Sequence, residues 1–191
     1  EVSNQCIVLV GMMGAGKSTV GKALAKHLSW EFTDTDHLIE HQTGVSIPVI
    51  FEIEGEAGFR RRESTALASF VGRERQVIAT GGGIVLAPEN REILRRIGAV
   101  VYLSASAAEL YQRTRLDKNR PLLQGPNPRK KIEELLAQRL PLYKECADVV
   151  IETGRQPVYQ IVNKISHALK LGQKAPDTEQ KATEQNESIH P

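Results

Sequence analysis

Residues 6–19 read CIVLVGMMGAGKST, a short apolar run followed by a glycine-rich stretch that ends in a lysine, a serine and a threonine. Gly11, Gly16, Lys17 and Ser18 match the spacing G-x-x-x-x-G-K-[ST], after a predicted strand and before a predicted helix. Glycines let consecutive backbone N–H groups point at phosphate oxygens, and a helix N-terminus adds partial positive charge. The stretch therefore predicts a strand–loop–helix unit that binds a nucleoside triphosphate.

Apolar runs like the first one recur along the chain, and segments with helical spacing of apolar residues separate them. Near-continuous apolar strands indicate burial on both faces, and their alternation with helices predicts βαβ units. The expected fold class is therefore α/β, with a parallel sheet covered by helices on both sides. The predicted strands are 6–10, 31–34, 77–80, 100–103 and 149–152.

Length and composition exclude several classes of protein. The chain has 191 residues, of which 40% are hydrophobic and 25% are charged, with a net charge of +2. These are ordinary values for a globular domain, so collagen-like, disordered and coiled-coil classes are excluded. A net charge near zero argues against a nucleic-acid partner. The longest apolar run is far shorter than the roughly 20 residues of a membrane span, so no membrane partner is expected.

The two ends of the chain and its cysteines lead to further expectations. Residues 1–5 lack the basic start and apolar stretch of a secretion signal, so we predict a cytoplasmic protein. Cys6 and Cys146 are isolated, which favours buried thiols over a disulfide or a zinc site. Residues 172–191 contain one large apolar side chain, Ile189, and predict a disordered tail after a single domain over 1–171. We expect a monomer.

Acidic residues and glycines follow the second and third predicted strands, at the edge of the sheet where ligands gather. In an extended segment, Asp34 and Asp36 would point the same way, so one could hold Mg²⁺ while the other accepts a hydroxyl proton. Asp36 could instead merely cap a helix that begins near His37. The triple glycine 81–83 could be a plain turn or could let backbone N–H groups approach a ligand.

Arginines supply cationic candidates in two regions. Arg60 and Glu63 share a helical face, so the carboxylate could hold the guanidinium in a fixed pose, although a solvated surface pair is the alternative. Residues 113–131 contain seven basic residues and one acid among several prolines, which predicts a loop that meets a polyphosphate. Arg120 is the candidate arginine finger. The other basic residues could simply keep the loop in solution.

The phosphate loop alone does not indicate which reaction the protein performs. No N-K-x-D motif of a Ras-type GTPase occurs, and the third predicted strand ends in glycines instead of the acid that a motor or helicase would have. A small-molecule kinase fits best. The alternatives are a gluconate or nucleoside monophosphate kinase and, from a different class, a nucleotide-binding regulatory or scaffold protein without transfer chemistry.

Six motifs in order resemble the bacterial shikimate kinase family, and together they extend over about residues 5–170. The motifs are the loop 11–19, the triplet Asp34-Thr35-Asp36, Gly55-Glu56 followed by Phe59-Arg60, the turn Gly81-Gly82-Gly83, the run Arg120-Pro121-Leu122-Leu123, and Arg139-Leu140-Pro141-Leu142-Tyr143.

The resemblance implies a fold and a reaction. The fold would be a three-layer P-loop fold of the nucleoside-monophosphate-kinase type, with a five-stranded parallel sheet in the order 2-3-1-4-5 flanked by helices. The substrate-binding region would be about 35–71 and a lid about 112–125. The reaction would be MgATP-dependent phosphorylation of the 3-hydroxyl of shikimate to give shikimate 3-phosphate and ADP, in chorismate and aromatic amino acid biosynthesis.

The resemblance also implies roles for individual residues. Lys17, Asp36 and Arg120 would be catalytic, and the adenine would meet Gln156 or its neighbour Arg155. Because the ordinary Walker-B acid is missing, Mg²⁺ would depend on Ser18 and, through water, on Asp34. The implied ATP contacts are Gly14, Ala15, Gly16, Lys17, Ser18, Thr19, Arg120 and Gln156, and the implied shikimate contacts are Asp36, Arg60, Gly82 and Arg139.

Overall fold

The structure, a computed structural model, describes residues 5–115 and 125–171. The predicted arginine finger Arg120, most of the predicted lid and the predicted tail 172–191 lie outside these residues. Strands and helices alternate along the described chain. In order they are β1 Cys6–Val10, α1 Lys17–Leu28, β2 Glu31–Asp34, α2 Thr35–Thr43, α3 Ile47–Ala68, β3 Gln76–Ala79, α4 Pro88–Ile97, β4 Gly98–Ser104, α5 Ala107–Thr114, α6 Pro128–Cys146, β5 Val149–Glu152 and α7 Val158–Ala168.

The five strands form one parallel sheet in the order β2-β3-β1-β4-β5, which confirms the predicted fold class and strand order. Strand β1 lies at the centre, and its residue Leu9 pairs with Ala79 of β3 and Val101 of β4. All five residues of β1 are 0% exposed. Burial on both faces explains why this strand is continuously apolar and does not alternate.

Helices supply the two outer layers. Helix α1 packs against α7, and these two helices form one group. Helix α4 packs against α3 and α6, which form the other group with it, and strands of the sheet contact helices of each group. A large apolar core connects the sheet with these helices. Because every connection between neighbouring parallel strands passes through helices, the ends of β1, β2 and β3 that carry the predicted site residues face the same edge of the sheet.

Helices α2 and α3 form a separate small core within the predicted substrate-binding region. Ile39 of α2 packs with Ile50, Phe59 and Ala66 of α3. Helix α3 is interrupted at Gly55, which has φ 72° and ψ 179°. Only glycine adopts this conformation at little cost, so Gly55 sets the bend between the two parts of α3.

Cys6 and Cys146 are buried and free, as expected. Within residues 5–115 and 125–171, no helix combines the length and the apolar character that crossing a membrane requires.

Candidate active site

A cavity of about 540 Å³ opens at the edge of the sheet where β1, β2 and β3 end. Its walls come from the loop after β1, the start of α2, the start of α3, the turn after β3 and Arg113 of α5. Lys17, Ser18, Asp34 and Asp36 all line it. The structure therefore brings the predicted phosphate loop and both predicted aspartates to one cavity.

The loop after β1 has the conformation that phosphate binding requires. Gly14 and Gly16 have φ 81° and 93°, so the backbone turns in the left-handed region just before α1. Within the described chain, no side chain caps the first turn of α1 and no acidic residue occupies it. The partial positive charge at this helix N-terminus favours an anionic ligand. Lys17 Nζ donates to the carbonyls of Gly11 (2.5 Å) and Met12 (2.9 Å).

Asp34 connects the phosphate loop with α2. The Ser18 hydroxyl donates to Asp34 Oδ2, and Asp34 Oδ1 accepts the backbone N–H groups of Asp36 (2.9 Å) and His37 (3.4 Å). The predicted extended geometry of 34–36 is wrong because β2 ends at Asp34 and α2 begins at Thr35. The alternative in which Asp36 caps the helix is also wrong, since Asp34 is the N-cap.

Ser18 and Asp34 fit a magnesium ion that is shared with a nucleotide. A hydroxyl and a carboxylate are hard oxygen donors, and here they lie in hydrogen-bond contact. In residues 5–115 and 125–171, no group of three or more His, Cys, Asp and Glu side chains is placed to hold a metal. The pair of Ser18 and Asp34 suits Mg²⁺, which takes one or two protein ligands and completes its shell with phosphates and water.

Arg60 is held by two carboxylates of α3. Its Nη1 donates to Glu63 Oε1 at 2.9 Å, and its Nη2 donates to Glu56 Oε1 at 3.3 Å. Glu63 is 0% exposed, so the alternative of a solvated surface pair is wrong. Burial raises the pKa of the Glu63 carboxyl, and the charge of Arg60 opposes that rise. A fixed guanidinium loses little freedom when it binds an anion, which suits it to ligand recognition.

Arg139 of α6 is a buried cation, only 2% exposed. Among the described residues, none accepts a hydrogen bond from its Nε or its Nη1. Buried N–H donors that lack an acceptor are costly unless a ligand satisfies them. Unsatisfied N–H donors on a buried cation suit an anionic ligand such as a carboxylate.

The triple-glycine turn after β3 makes room for the predicted acceptor residues. A Cβ atom at Gly81 would lie 2.6 Å from Glu63 Oε2 and 3.0 Å from Asp36 Oδ1. A Cβ atom at Gly82 would lie 3.2 Å from Arg139 Nη1. The glycines thus leave room for side chains of the protein, and the predicted approach of their backbone N–H groups to a ligand stays a prediction. The close approach is made by side chains of the site itself, which the sequence pattern alone did not indicate.

Arg113 of α5 is a site residue that was not singled out from the sequence. Its Nη1 donates to the Gly14 carbonyl at 3.0 Å, and its Nη2 donates to the Gly154 carbonyl. It separates the main cavity from a second one of about 600 Å³, which Glu109, Gln112, Gly154 and Arg155 also line. The sequence offered one signal for Arg113, which was its position in the predicted basic loop. Its bond to Gly14 joins residues 99 positions apart and therefore leaves no local pattern.

The two residues predicted beside the adenine differ in position. Arg155 lines the second cavity, whereas Gln156 is not among its lining residues. The Gln156 amide donates to the Glu152 carbonyl at 3.4 Å. The second cavity adjoins the phosphate loop through Arg113, which lines both cavities.

Comparisons with known sequences agree on one family. A family model described as Shikimate kinase matches residues 13–170. A shikimate kinase of Burkholderia pseudomallei is 54% identical over 165 residues, which are 86% of this chain and 90% of that protein. A shikimate kinase of Bordetella avium is 55% identical over 168 residues, which are 88% of this chain and 80% of that protein.

The comparison with solved structures agrees with the sequences. A shikimate kinase from Acinetobacter baumannii, determined in complex with shikimate, superposes with a TM-score of 0.85 at 48% sequence identity. The match covers 88% of this chain and 95% of that one. The likeness thus includes the sheet, the surrounding helices and the edge that carries the cavity.

Proposed function

The chain belongs to the shikimate kinase family, and we propose that it transfers the γ-phosphate of ATP to the 3-hydroxyl of shikimate, giving shikimate 3-phosphate and ADP. Enzymes of this family phosphorylate shikimate in the pathway to the aromatic amino acids. The observation that carries the assignment of the acceptor site is the buried guanidinium of Arg139, two of whose nitrogens lack an acceptor among the described residues.

Arg60, Arg139 and Asp36 would hold shikimate, a carboxylic acid with three hydroxyls. The two guanidinium groups bind the carboxylate through charge-assisted hydrogen bonds. Asp36 accepts a hydrogen bond from the reacting hydroxyl and takes its proton as the oxygen attacks phosphorus. The clearances at Gly81 and Gly82 support this assignment, because they bring Asp36 and Arg139 to the same turn.

The backbone N–H groups of residues 14–19 and the Lys17 ammonium would bind the triphosphate. Lys17 Nζ leaves the carbonyls of Gly11 and Met12 for the phosphate oxygens, which offer it a stronger charge-assisted bond. The second cavity would take the adenine beside Arg155, with Gln156 close by. Alignment of the γ-phosphate with the acceptor hydroxyl supplies most of the rate enhancement, since phosphoryl transfer requires little covalent catalysis by the protein.

Mg²⁺ would be held by Ser18 and, through water, by Asp34, whose oxygens fit that ion. When bound, the ion neutralises charge on the β- and γ-phosphates. Arg120 would supply a further positive charge to the transferring group. That role depends on the sequence motif, because Arg120 lies outside the described residues.

A coupled assay of ADP release across candidate acceptors tests the proposed function. We expect turnover with shikimate, and none with gluconate or a nucleoside monophosphate. The Lys17→Ala variant should lose both phosphate binding and transfer, and it controls for a contaminating kinase. Turnover with gluconate or a nucleotide in place of shikimate would contradict the proposal. ATP binding without ADP release would favour the regulatory alternative.

We also propose that the protein acts as a cytoplasmic monomer with its kinase domain over 1–171. The cytoplasm supplies the ATP that the reaction needs. Lys17, Ser18, Asp34 and Asp36 line one cavity formed within a single chain, which supports the monomer. Light scattering of the purified protein tests the oligomeric state.

A further inference from the structure

Tyr143 lies one helical turn after Arg139 in α6 and is 0% exposed. Its hydroxyl donates a hydrogen bond to the carbonyl oxygen of Gly82. Its ring stacks on Tyr102 of β4, with centroids 4.9 Å apart and an angle of 18° between the planes. The stack anchors the ring to the sheet, so the hydroxyl has a defined position relative to the end of β3.

Gly82, which accepts this bond, lies between the two halves of the site. A Cβ atom there would be 3.2 Å from Arg139 Nη1 and 3.4 Å from the backbone nitrogen of Met13. One neighbour belongs to the proposed acceptor site and the other to the phosphate loop. Movement of Gly82 would therefore change the distance between the two substrates.

The turn has no side chains of its own to hold it in place. Residues 81–83 are all glycine, and glycine gives the backbone more conformational freedom than any other residue. The hydroxyl of Tyr143 also interacts with the Arg139 guanidinium. One buried phenol thus contacts both the backbone of the turn and the cation beside it. Burial raises the pKa of Tyr143, so the hydroxyl remains protonated and donates at neutral pH.

We propose that Tyr143 is a positioning residue for the acceptor substrate, which it serves by fixing the Gly82 carbonyl and the Arg139 guanidinium at the spacing that shikimate requires. This inference rests on the proposed function of the same site. Tyr143 acts through Gly82 and Arg139 and touches neither substrate. Its loss should therefore weaken the use of shikimate and leave the use of ATP almost unchanged.

Tyr143→Phe and Tyr102→Phe form a matched pair of variants. Each keeps the aromatic stack and removes one hydroxyl, but the Tyr102 hydroxyl interacts with Ser104 instead of Gly82. We expect Tyr143→Phe to raise KM and Kd for shikimate roughly three- to tenfold, as the loss of one buried hydrogen bond predicts. KM for ATP should stay within about twofold. Tyr102→Phe should leave both values unchanged.

Hydrogen exchange supplies a readout that does not depend on activity. The Ile84 N–H donates to the Gly81 carbonyl at 3.1 Å and reports on the closure of the turn. In the protein without substrates, exchange at Ile84 should be faster in Tyr143→Phe than in Tyr102→Phe. Equal exchange rates, or equal shikimate KM values in the two variants, would overturn the positioning role.

The wild-type protein separates a failure of this inference from a failure of the proposed function. If the wild type turns over ATP with shikimate and the two variants behave alike, only the role of Tyr143 is wrong. If the wild type neither binds nor phosphorylates shikimate, the proposed function is wrong, and the inference is overturned with it.

Discussion

The hydroxyl of Ser18 donates a hydrogen bond to Oδ2 of Asp34, which joins the phosphate loop to the end of β2. The other oxygen of the same carboxylate caps α2 and so determines where Asp36 lies. One side chain therefore connects the residues proposed for Mg²⁺ with the residue proposed to take the hydroxyl proton.

Asp34→Asn should weaken the use of Mg²⁺ without unfolding the protein. Asparagine caps a helix about as well as aspartate, so α2 keeps its start, but the negative charge is lost. We expect the Mg²⁺ concentration for half-maximal activity to rise about 10- to 100-fold. Titrating activity with Mg²⁺ measures this, with the urea midpoint as the control. An unchanged Mg²⁺ requirement would remove Asp34 from the metal shell.

Asp36→Asn should lower kcat about 10²- to 10⁴-fold, because an amide cannot accept the hydroxyl proton. Calorimetry should show nearly unchanged ATP affinity. Glu52→Gln, which removes an exposed carboxylate of α3, is the matched control and should behave as wild type. Normal turnover of Asp36→Asn would exclude Asp36 as the acceptor of that proton.

Arg139→Met should separate stability from function. Methionine fills much of the same space without a buried charge, so the free energy of unfolding should be maintained or should rise. KM for shikimate should rise by about 100-fold or more, since a buried charge partner typically contributes ~2–5 kcal/mol or more to binding, while KM for ATP changes little. Arg96→Met, at an exposed arginine of α4, is the control. A stable variant with a normal KM for shikimate would contradict the role of Arg139.

Gly83→Ala should disturb Arg60, because a Cβ atom at Gly83 would overlap its guanidinium group. We expect KM for shikimate to rise about tenfold, equivalent to roughly 1.4 kcal/mol of lost positioning. A double-mutant cycle with Arg60→Ala tests the cause, because the effect of Gly83→Ala should shrink when Arg60 is absent. Additive effects would show that Gly83 acts elsewhere.

Glu63→Gln should change the pH dependence of stability. Burial raises the pKa of Glu63 in the folded protein above its ordinary 4.5, so the folded state binds the proton more tightly than the unfolded state. The contribution of Glu63 is then fully present below pH 4.5 and is lost as the pH rises through the folded-state value. The difference in unfolding free energy, wild type minus Glu63→Gln, should therefore fall as the pH rises. Urea titrations from pH 4 to 8 measure it; a constant difference would contradict the shift.

Local patterns predicted the strands, the phosphate loop and the pairing of Arg60 with Glu63, because each depends on residues close together in the chain. The strand order came from the family resemblance and was confirmed. The position of Asp36 was not predicted correctly, since it depends on β2 ending at Asp34, where a side chain caps the next helix.

Contacts between residues far apart along the chain could not be predicted from the sequence. The bond from Arg113 to Gly14 and the bond from Tyr143 to Gly82 depend on how α5 and α6 pack against the sheet. The burial of Arg139 has the same origin, because arginine is normally an exposed residue and no spacing marks it as buried. The sequence therefore predicted the general role of these regions but not the contacts that their side chains make.

Phosphorus NMR of the reaction mixture tests the central claim most directly. The purified protein is incubated with MgATP and shikimate, and the products are identified by their phosphorus signals and their couplings to ring protons. We predict equal amounts of ADP and a phosphate monoester coupled to the proton on carbon 3 of shikimate. Inorganic phosphate as the only product besides ADP, a monoester at another hydroxyl, or unchanged ATP would contradict the account.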